Sequence, residues 1–309
     1  MKSVGRLAPS PTGALHLGHA FAFLHAWWTT RSQGGRVVLR MEDLDPERCT
    51  LEFERGILLD LEWLGLDWDG PVLRQSEQFP RYREVLADLA SRDLTYACRC
   101  SRRDIRLVLA PHPGDELRYP GTCSELDLNT SSNEESYGQR LRVQAGSVLL
   151  QDRVQAPLEA EIAQECGDFL LWTKADLPSY QFAVTLDDHY QGVTEVVRGR
   201  DLLPSTARQN LLRQHLNYPN PSTVHLGMIL DRQGQRLAKR TGASSIAGFR
   251  EAGGQAGELV DWAAQIAGLE SRGPAPVDYL PDYTLPPKED WWPSQASAGP
   301  FPPNSTQDQ

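Results

Sequence analysis

Arg6-Leu7-Ala8-Pro9-Ser10-Pro11-Thr12-Gly13-Ala14-Leu15-His16-Leu17-Gly18-His19 lies between a short apolar run, Val4 to Ala8, and a longer one, Gly18 to Ser32, rich in Ala, Phe, Leu and Trp. The first run reads as a strand stopped by Pro9, Pro11 and Gly13, the second as a helix closed by Gln33-Gly34-Gly35. A helix starting just after a strand-ending turn presents unpaired N–H groups and the positive end of its dipole, which favours phosphate. His16 and His19, three residues apart, meet on the first turn, and Gly18 permits close approach of a nucleotide.

The same alternation continues outward. Arg36 to Met41 reads as a second strand, and Pro46 opens a helix over Glu47 to Leu64 with Phe53, Ile57, Leu61 and Leu64 on one face. Strand, helix, strand, helix implies an α/β fold with a parallel sheet built from βαβ units. Residues 95–140 break the rhythm with three Cys, several Pro and Gly, and a polar run from Asn129 to Ser136. Strands are expected again over 140–143, 148–154, 169–173 and 181–186, and a helix over 201–216. From Gly273 the chain is Pro- and Ser-rich, so the final ~35 residues are expected to be poorly ordered.

Composition sets the outer limits. At 309 residues a core of ordinary size is available, about two domains' worth, with no need of disulfides. No apolar run approaches the ~18 residues of a membrane helix, and Met1 to Pro9 lacks an apolar signal core, so a cytoplasmic protein is expected. The net charge of −10 is a poor start for a nucleic-acid binder. It is unevenly placed, however: the 69 residues beyond Arg240 carry −6 and the first 240 carry −4. The cations are 27 Arg and four Lys, and Arg suits bidentate contact with carboxylate and phosphate. Five Cys include Cys98-x-Cys100, a spacing strained as a disulfide and better suited to a metal or a redox site.

The opening segment resembles the HIGH signature of class I aminoacyl-tRNA synthetases, specifically the glutamyl branch with its R-x-A-P-S-P-T-G-x-L-H-x-G-H string. The resemblance continues through Leu39-Arg40-Met41-Glu42-Asp43-Leu44-Asp45, Tyr180-Gln181-Phe182-Ala183-Val184, Asp187-Asp188 and Val197-Arg198-Gly199-Arg200-Asp201-Leu202. It ends at Arg236-Leu237-Ala238-Lys239-Arg240, which is similar to the KMSKS loop but begins with Arg236 and has Ala238 where Ser is usual. The resemblance implies a Rossmann-like parallel sheet carrying a zinc-binding insertion and a short helical C-terminal part. The expected division is 1–95 for the first half of the nucleotide-binding domain and 96–140 for the zinc insertion. Residues 141–220 would form an acceptor-type insertion and the second half of the catalytic domain, 221–272 the KMSKS-like loop with a helical stem, and 273–309 a loose tail.

The resemblance also implies site residues. Arg6 and Arg198 are candidates for two carboxylates, Glu42 for an ammonium, and Ser10 and Tyr180 for uncharged hydrogen bonds. His16, His19 and Lys239 would stabilise charge on ATP, with Pro9 and Gly18 beside them and Mg²⁺ accompanying the nucleotide. Cys98, Cys100 and Cys123 make most of a tetrahedral structural zinc site. The resemblance places Tyr119 as fourth ligand, while His112 in the same loop is the more ordinary chemical choice.

With so few residues after Arg240, no room is expected for the helical anticodon-binding region of a full glutamyl-tRNA synthetase. A shortened body with a cysteine cluster resembles instead the group that activates glutamate without tRNA and esterifies it onto queuosine in the tRNA(Asp) anticodon. Such a protein is expected to act as a monomer. The rivals are a shortened glutamyl-tRNA synthetase charging the acceptor end, more distantly a small nucleotidyltransferase with an H-x-G-H helix start, and outside enzymes a synthetase-like RNA-binding module that has lost catalysis.

Overall fold

The structure is a computed structural model and describes residues 2–101, 103–104, 118–126, 136–230 and 245–290. Strand β1 (Val4–Leu7), helix α1 (Leu17–Arg31) and strand β2 (Arg36–Met41) form the expected βαβ unit. β1 and β2 pair in parallel from Val4 opposite Arg36 to Leu7 opposite Leu39. β3 (Leu73–Arg74) adds a short parallel strand beside β2. A second parallel pair, β9 (Glu195–Gly199) and β10 (Ser222–Leu226), runs along the free side of β1, where Thr194 N–H donates to the Val4 carbonyl at 2.9 Å. The remaining strands are antiparallel. β4 (Thr95–Cys98), β5 (Gly138–Leu141) and β8 (Leu170–Trp172) form one sheet, and β6 (Val148–Leu150) with β7 (Leu158–Ala160) a hairpin.

α1 organises the main core because almost every side of it is covered. Leu17, Ala20, Leu24 and Trp28 are fully or nearly fully buried, and Gly5 lets β1 press against Thr30, whose hydroxyl a Cβ there would overlap. Deleting a side chain such as Trp28 from such a core costs roughly 3–5 kcal/mol. The far side of α1 is closed by a helix over Ala256–Ile266 and by the 3-10 turns Pro276–Asp282.

Several expectations need correction. The second helix, α2, begins at Leu51 and runs to Trp63, because Thr50 supplies the cap by accepting from Phe53 N–H at 3.2 Å. Residues 47–48 instead turn over the Asp45 carboxylate. Ile57, Leu61 and Leu64 are buried as the periodicity requires, but Phe53 is exposed. α3 (Phe79–Ser91) and a short α4 (Ile162–Glu165) follow in the chain. The 181–186 stretch is not a strand. It belongs to helix α5 (Tyr180–Tyr190), started by Ser179, whose hydroxyl accepts from Phe182 N–H at 3.3 Å. Phe182 to Asp188 are buried without interruption, so the helix lacks the polar face that would have revealed it. α6 (Leu203–Leu216) follows a single 3-10 turn, and α7 (Ile246–Glu251) precedes the closing helix, α8 (Ala256–Ile266).

The expected loose tail is ordered over its described part. Tyr279 is 1% exposed, Trp28 Nε1 donates to the Pro276 carbonyl at 2.8 Å, and the Asp290 carboxylate accepts from Met228 N–H at 2.7 Å. Two aromatic anchors and a carboxylate suffice to pin a Pro-rich segment that has little secondary structure. Residues 291–309 lie outside the described residues. No helix among the described residues is long and apolar enough to cross a membrane.

Candidate active site

The ends of β1, β2 and β9, the start of α1 and the start of α5 converge on one cavity of about 500 Å³. It collects nine of the residues singled out above: Arg6, Pro9, Ser10, His16, Gly18, His19, Glu42, Tyr180 and Arg198. The tenth, Lys239, lies outside the described residues, as does the rest of the KMSKS-like stretch. Both flanks of residues 231–244 reach the site: Ile229 lines the cavity, and Ser245 forms an antiparallel bridge with His16.

The two imidazoles do meet, though not quite as expected. His16 is the N-cap of α1 rather than part of its first turn, and its ring stacks on His19 with centroids 3.6 Å apart. The His16 N–H donates to His19 Nδ1 at 3.1 Å, so His19 Nδ1 is an acceptor and its proton is on Nε2 when the ring is neutral. Gly18 serves this pair first, since a Cβ there would approach the His16 ring to 3.0 Å.

Arg6 and Arg198 are 6% and 5% exposed. Arg6 Nη1 donates to the Val197 carbonyl at 3.0 Å, and its Nε lies 3.7 Å from the Asp188 carboxylate without a hydrogen bond. Burial pulls the Arg6 guanidinium down to about 10, the neighbouring cations adding to the effect. Arg198 has no carboxylate partner among the described residues. It donates from Nε to His225 Nε2 at 3.2 Å and from Nη2 to Thr206 Oγ1 and Gln209 Oε1 at 2.7 and 3.1 Å, while Nη1 has no hydrogen bond. A buried cation bonded only to neutral groups is expensive unless an anion joins it.

Glu42 sits opposite. Burial raises its carboxyl above the usual range, opposed by Arg40 and Arg6. Arg40 Nη2 donates to Glu42 Oε1 at 3.3 Å. Tyr180, also on the cavity wall, has its hydroxyl pushed upward by burial and by the Glu42 charge.

A buried layer behind the cavity was not assigned from sequence. Asp188 accepts from Arg40 Nη1 at 3.0 Å and from Arg213 Nη2 at 2.9 Å, besides facing Arg6. Burial would raise the Asp188 carboxyl, but Arg40, Arg6 and Arg213 outweigh it and hold it below the usual range. Asp187 is likewise enclosed by Gln75, Arg81 and Tyr82 at 2.6–2.7 Å. The available signal was Arg40 inside the apolar run of β2 and two Asp inside an apolar helix, because charges in such places need partners.

Cys98, Cys100 and Cys123 bring their sulfurs within 4.8 Å of one another. Cys100 and Cys123 Sγ are 3.6 Å apart, close to the ~3.8 Å edge of a tetrahedron with 2.3 Å zinc–sulfur bonds. The Tyr119 hydroxyl lies 3.3 Å from Cys98 Sγ and 3.7 Å from Cys100 Sγ, and also accepts from Cys123 N–H at 2.9 Å. These four donors therefore fit a small tetrahedral cation. Arg140 backs them, its guanidinium 3.6 Å from the Tyr119 ring centre and its Nε 3.2 Å from Cys98 Sγ. His112 lies outside the described residues. Cys49 and Cys166 stand apart from the cluster.

The family of class I tRNA synthetases (E and Q), catalytic domain, matches residues 2–261. A protein of Nitratidesulfovibrio vulgaris named glutamyl-Q tRNA(Asp) synthetase is 43% identical over 280 residues, 86% of each chain. One of the same name from Rhodopirellula baltica is 41% identical over 281 residues, 86% of this chain and 85% of the relative. Among solved structures, a glutamate tRNA ligase of Elizabethkingia meningosepticum in complex with its amino acid superposes with a TM-score of 0.81 at 26% identity. That superposition covers 94% of this chain and 67% of the ligase.

Proposed function

This chain belongs to the class I tRNA synthetases of the glutamate and glutamine type, ATP-using ligases, and we propose that it activates L-glutamate without requiring tRNA and esterifies it onto queuosine in the anticodon of tRNA(Asp). The observation that carries the amino-acid assignment is Arg198: a buried guanidinium at the cavity wall with one unused N–H edge and no carboxylate of its own. Glutamate supplies the missing anion. Arg6 and Arg198 take its two carboxylates, Glu42 its ammonium, and Ser10 and Tyr180 add neutral hydrogen bonds. The names of the relatives at 41–43% identity support the acceptor.

In the first step a carboxylate oxygen of glutamate, already ionised at neutral pH, attacks the α-phosphorus of MgATP. A new O–P bond forms, the bond to the β-phosphate breaks, and pyrophosphate leaves. His16, His19 and Lys239 offset the charge that develops on the phosphates, with Pro9 and Gly18 shaping the nucleotide site. In the second step a hydroxyl of the queuosine ring attacks the adenylate carbonyl and AMP departs. Cys98, Cys100, Cys123 and Tyr119 would hold one zinc, whose contribution would be structural. Residues 96–140 act as its module within a cytoplasmic enzyme.

Pyrophosphate exchange tests activation: it should need glutamate and ATP only. Labelled glutamate offered to a tRNA(Asp) anticodon hairpin tests transfer, with label expected on the queuosine hairpin and none on its guanosine counterpart. Label that appears only on full tRNA and vanishes when the 3′ end is trimmed would mean acceptor charging instead.

A further inference from the structure

Behind Arg198 stands a second buried pair that the proposed chemistry does not use, and the geometry points to Asp152 and His225 as positioning residues that set the Arg198 guanidinium for its anion. The inference rests on Arg198 meeting a carboxylate of glutamate.

The argument starts from hydrogen-bond polarity. Arginine can only donate, so the 3.2 Å bond from Arg198 Nε requires His225 Nε2 to be an acceptor. His225 is therefore neutral with its proton on Nδ1. That Nδ1 lies 2.6 Å from Asp152 Oδ2, to which it donates. The Asp152 carboxylate is fixed independently: its Oδ1 accepts from the N–H groups of Val154 and Gln155, both at 2.9 Å, and of His225 at 3.2 Å. Thr206 completes the ring of contacts, accepting from Arg198 Nη2 at 2.7 Å with its oxygen 3.0 Å from His225 Nε2.

All these atoms come from separate elements: Asp152 from the β6–β7 connection, His225 from β10, Arg198 from β9 and Thr206 from α6. His225 is fully buried and the Asp152 side chain is 2% exposed, so neither touches a ligand in the cavity. Their effect must pass through Arg198. With Nε and Nη2 committed to His225, Thr206 and Gln209, the unbonded Nη1 is left for the ligand. The opposite tautomer, or a protonated ring, would set an N–H against the Arg198 N–H and turn the guanidinium away. Burial and the Arg198 charge both hold His225 below the usual imidazole range, consistent with the neutral form.

Asp152→Asn tests the relay with little change of shape. The Asn oxygen can keep the Val154 and Gln155 bonds while its amide donates to Nδ1 and drives the proton to Nε2. Loss of one charge-assisted contact predicts a rise in KM for glutamate of about tenfold, with KM for ATP within about twofold of wild type. His225→Gln, whose oxygen can stand near Nε2 as an acceptor, should bind glutamate better than His225→Asn, which leaves Arg198 Nε bare. Unchanged glutamate KM in Asp152→Asn, or equal rises for glutamate and ATP, would overturn the relay. If wild-type protein shows no glutamate-dependent exchange, the proposed function fails instead, and the two failures are distinct. Should Asp152→Asn not fold, the Gln-against-Asn ranking at His225 decides the question alone.

Discussion

The cavity and the cysteine cluster both keep polar atoms out of water, but by opposite means. Around the cavity Arg40, Asp188 and Arg213 are buried against one another where β2, α5 and α6 meet, so the fold holds the charges. Around the cysteines the described residues form a small local core, with Tyr96, Cys98, Tyr119 and Cys123 as its buried members. Three of those four are proposed ligands, so a bound metal would add to what holds this module together. The fold itself builds the cavity, whereas the cysteine site would draw on its proposed metal as well.

That contrast can be broken most sharply at Arg198. Arg198→Ala should lower kcat/KM for glutamate-dependent exchange roughly 100-fold or more, the usual scale for removing one partner of a buried charge pair, seen mainly in glutamate KM. An unaffected enzyme would mean that the cavity does not use its unmatched cation. Asp188→Asn leaves three guanidiniums around a neutral amide. It should cost about 3–5 kcal/mol of stability, measured by urea unfolding.

At the cysteine site, protein purified without added metal should carry one zinc per chain. Its removal by chelator should loosen residues 96–101 and 118–126 to proteolysis while glutamate-dependent exchange falls only a few-fold. A stoichiometry near zero would remove the contrast, and a complete loss of exchange would join the two sites energetically. Tyr119→Phe should weaken metal retention; full retention would shift the fourth ligand to His112.

The smallest effect concerns pH. His225 is held below the usual value near 6.5 by burial first and by Arg198. Below that value the unfolded chain takes up a proton there while the folded one does not. Its stabilising contribution is thus complete above pH 6.5 and is lost as pH falls from there towards the depressed folded value. His25, pulled down to about 3 by burial, acts with the same sign, so the measurement is a difference. The urea midpoint of His225→Gln should fall less between pH 7 and pH 5 than that of wild type. Equal falls would show that His225 takes up its proton normally.

The β1–α1–β2 unit could be read from sequence because its information is local: apolar runs of the right length, prolines at the turn, glycines after the helix. The proposed ligand residues were legible for a different reason, since they fall in ordered motifs resembling a known family. Helix α5 was misread because its burial on all sides erased the 3.6-residue pattern, and the segment 276–283 because its order comes from packing Tyr279 and Tyr283 against α1. Local sequence thus determined the parallel α/β unit, the phosphate-favouring helix start and the grouping of three cysteines. Only the tertiary structure decided that Arg198 ends with a free edge, that Asp188 is shared among three arginines, and that Asp152 reaches His225 from 73 residues away. Those outcomes depend on which distant donors and acceptors meet once water has been excluded, and hydrogen-bond polarity between them has no signature along the chain.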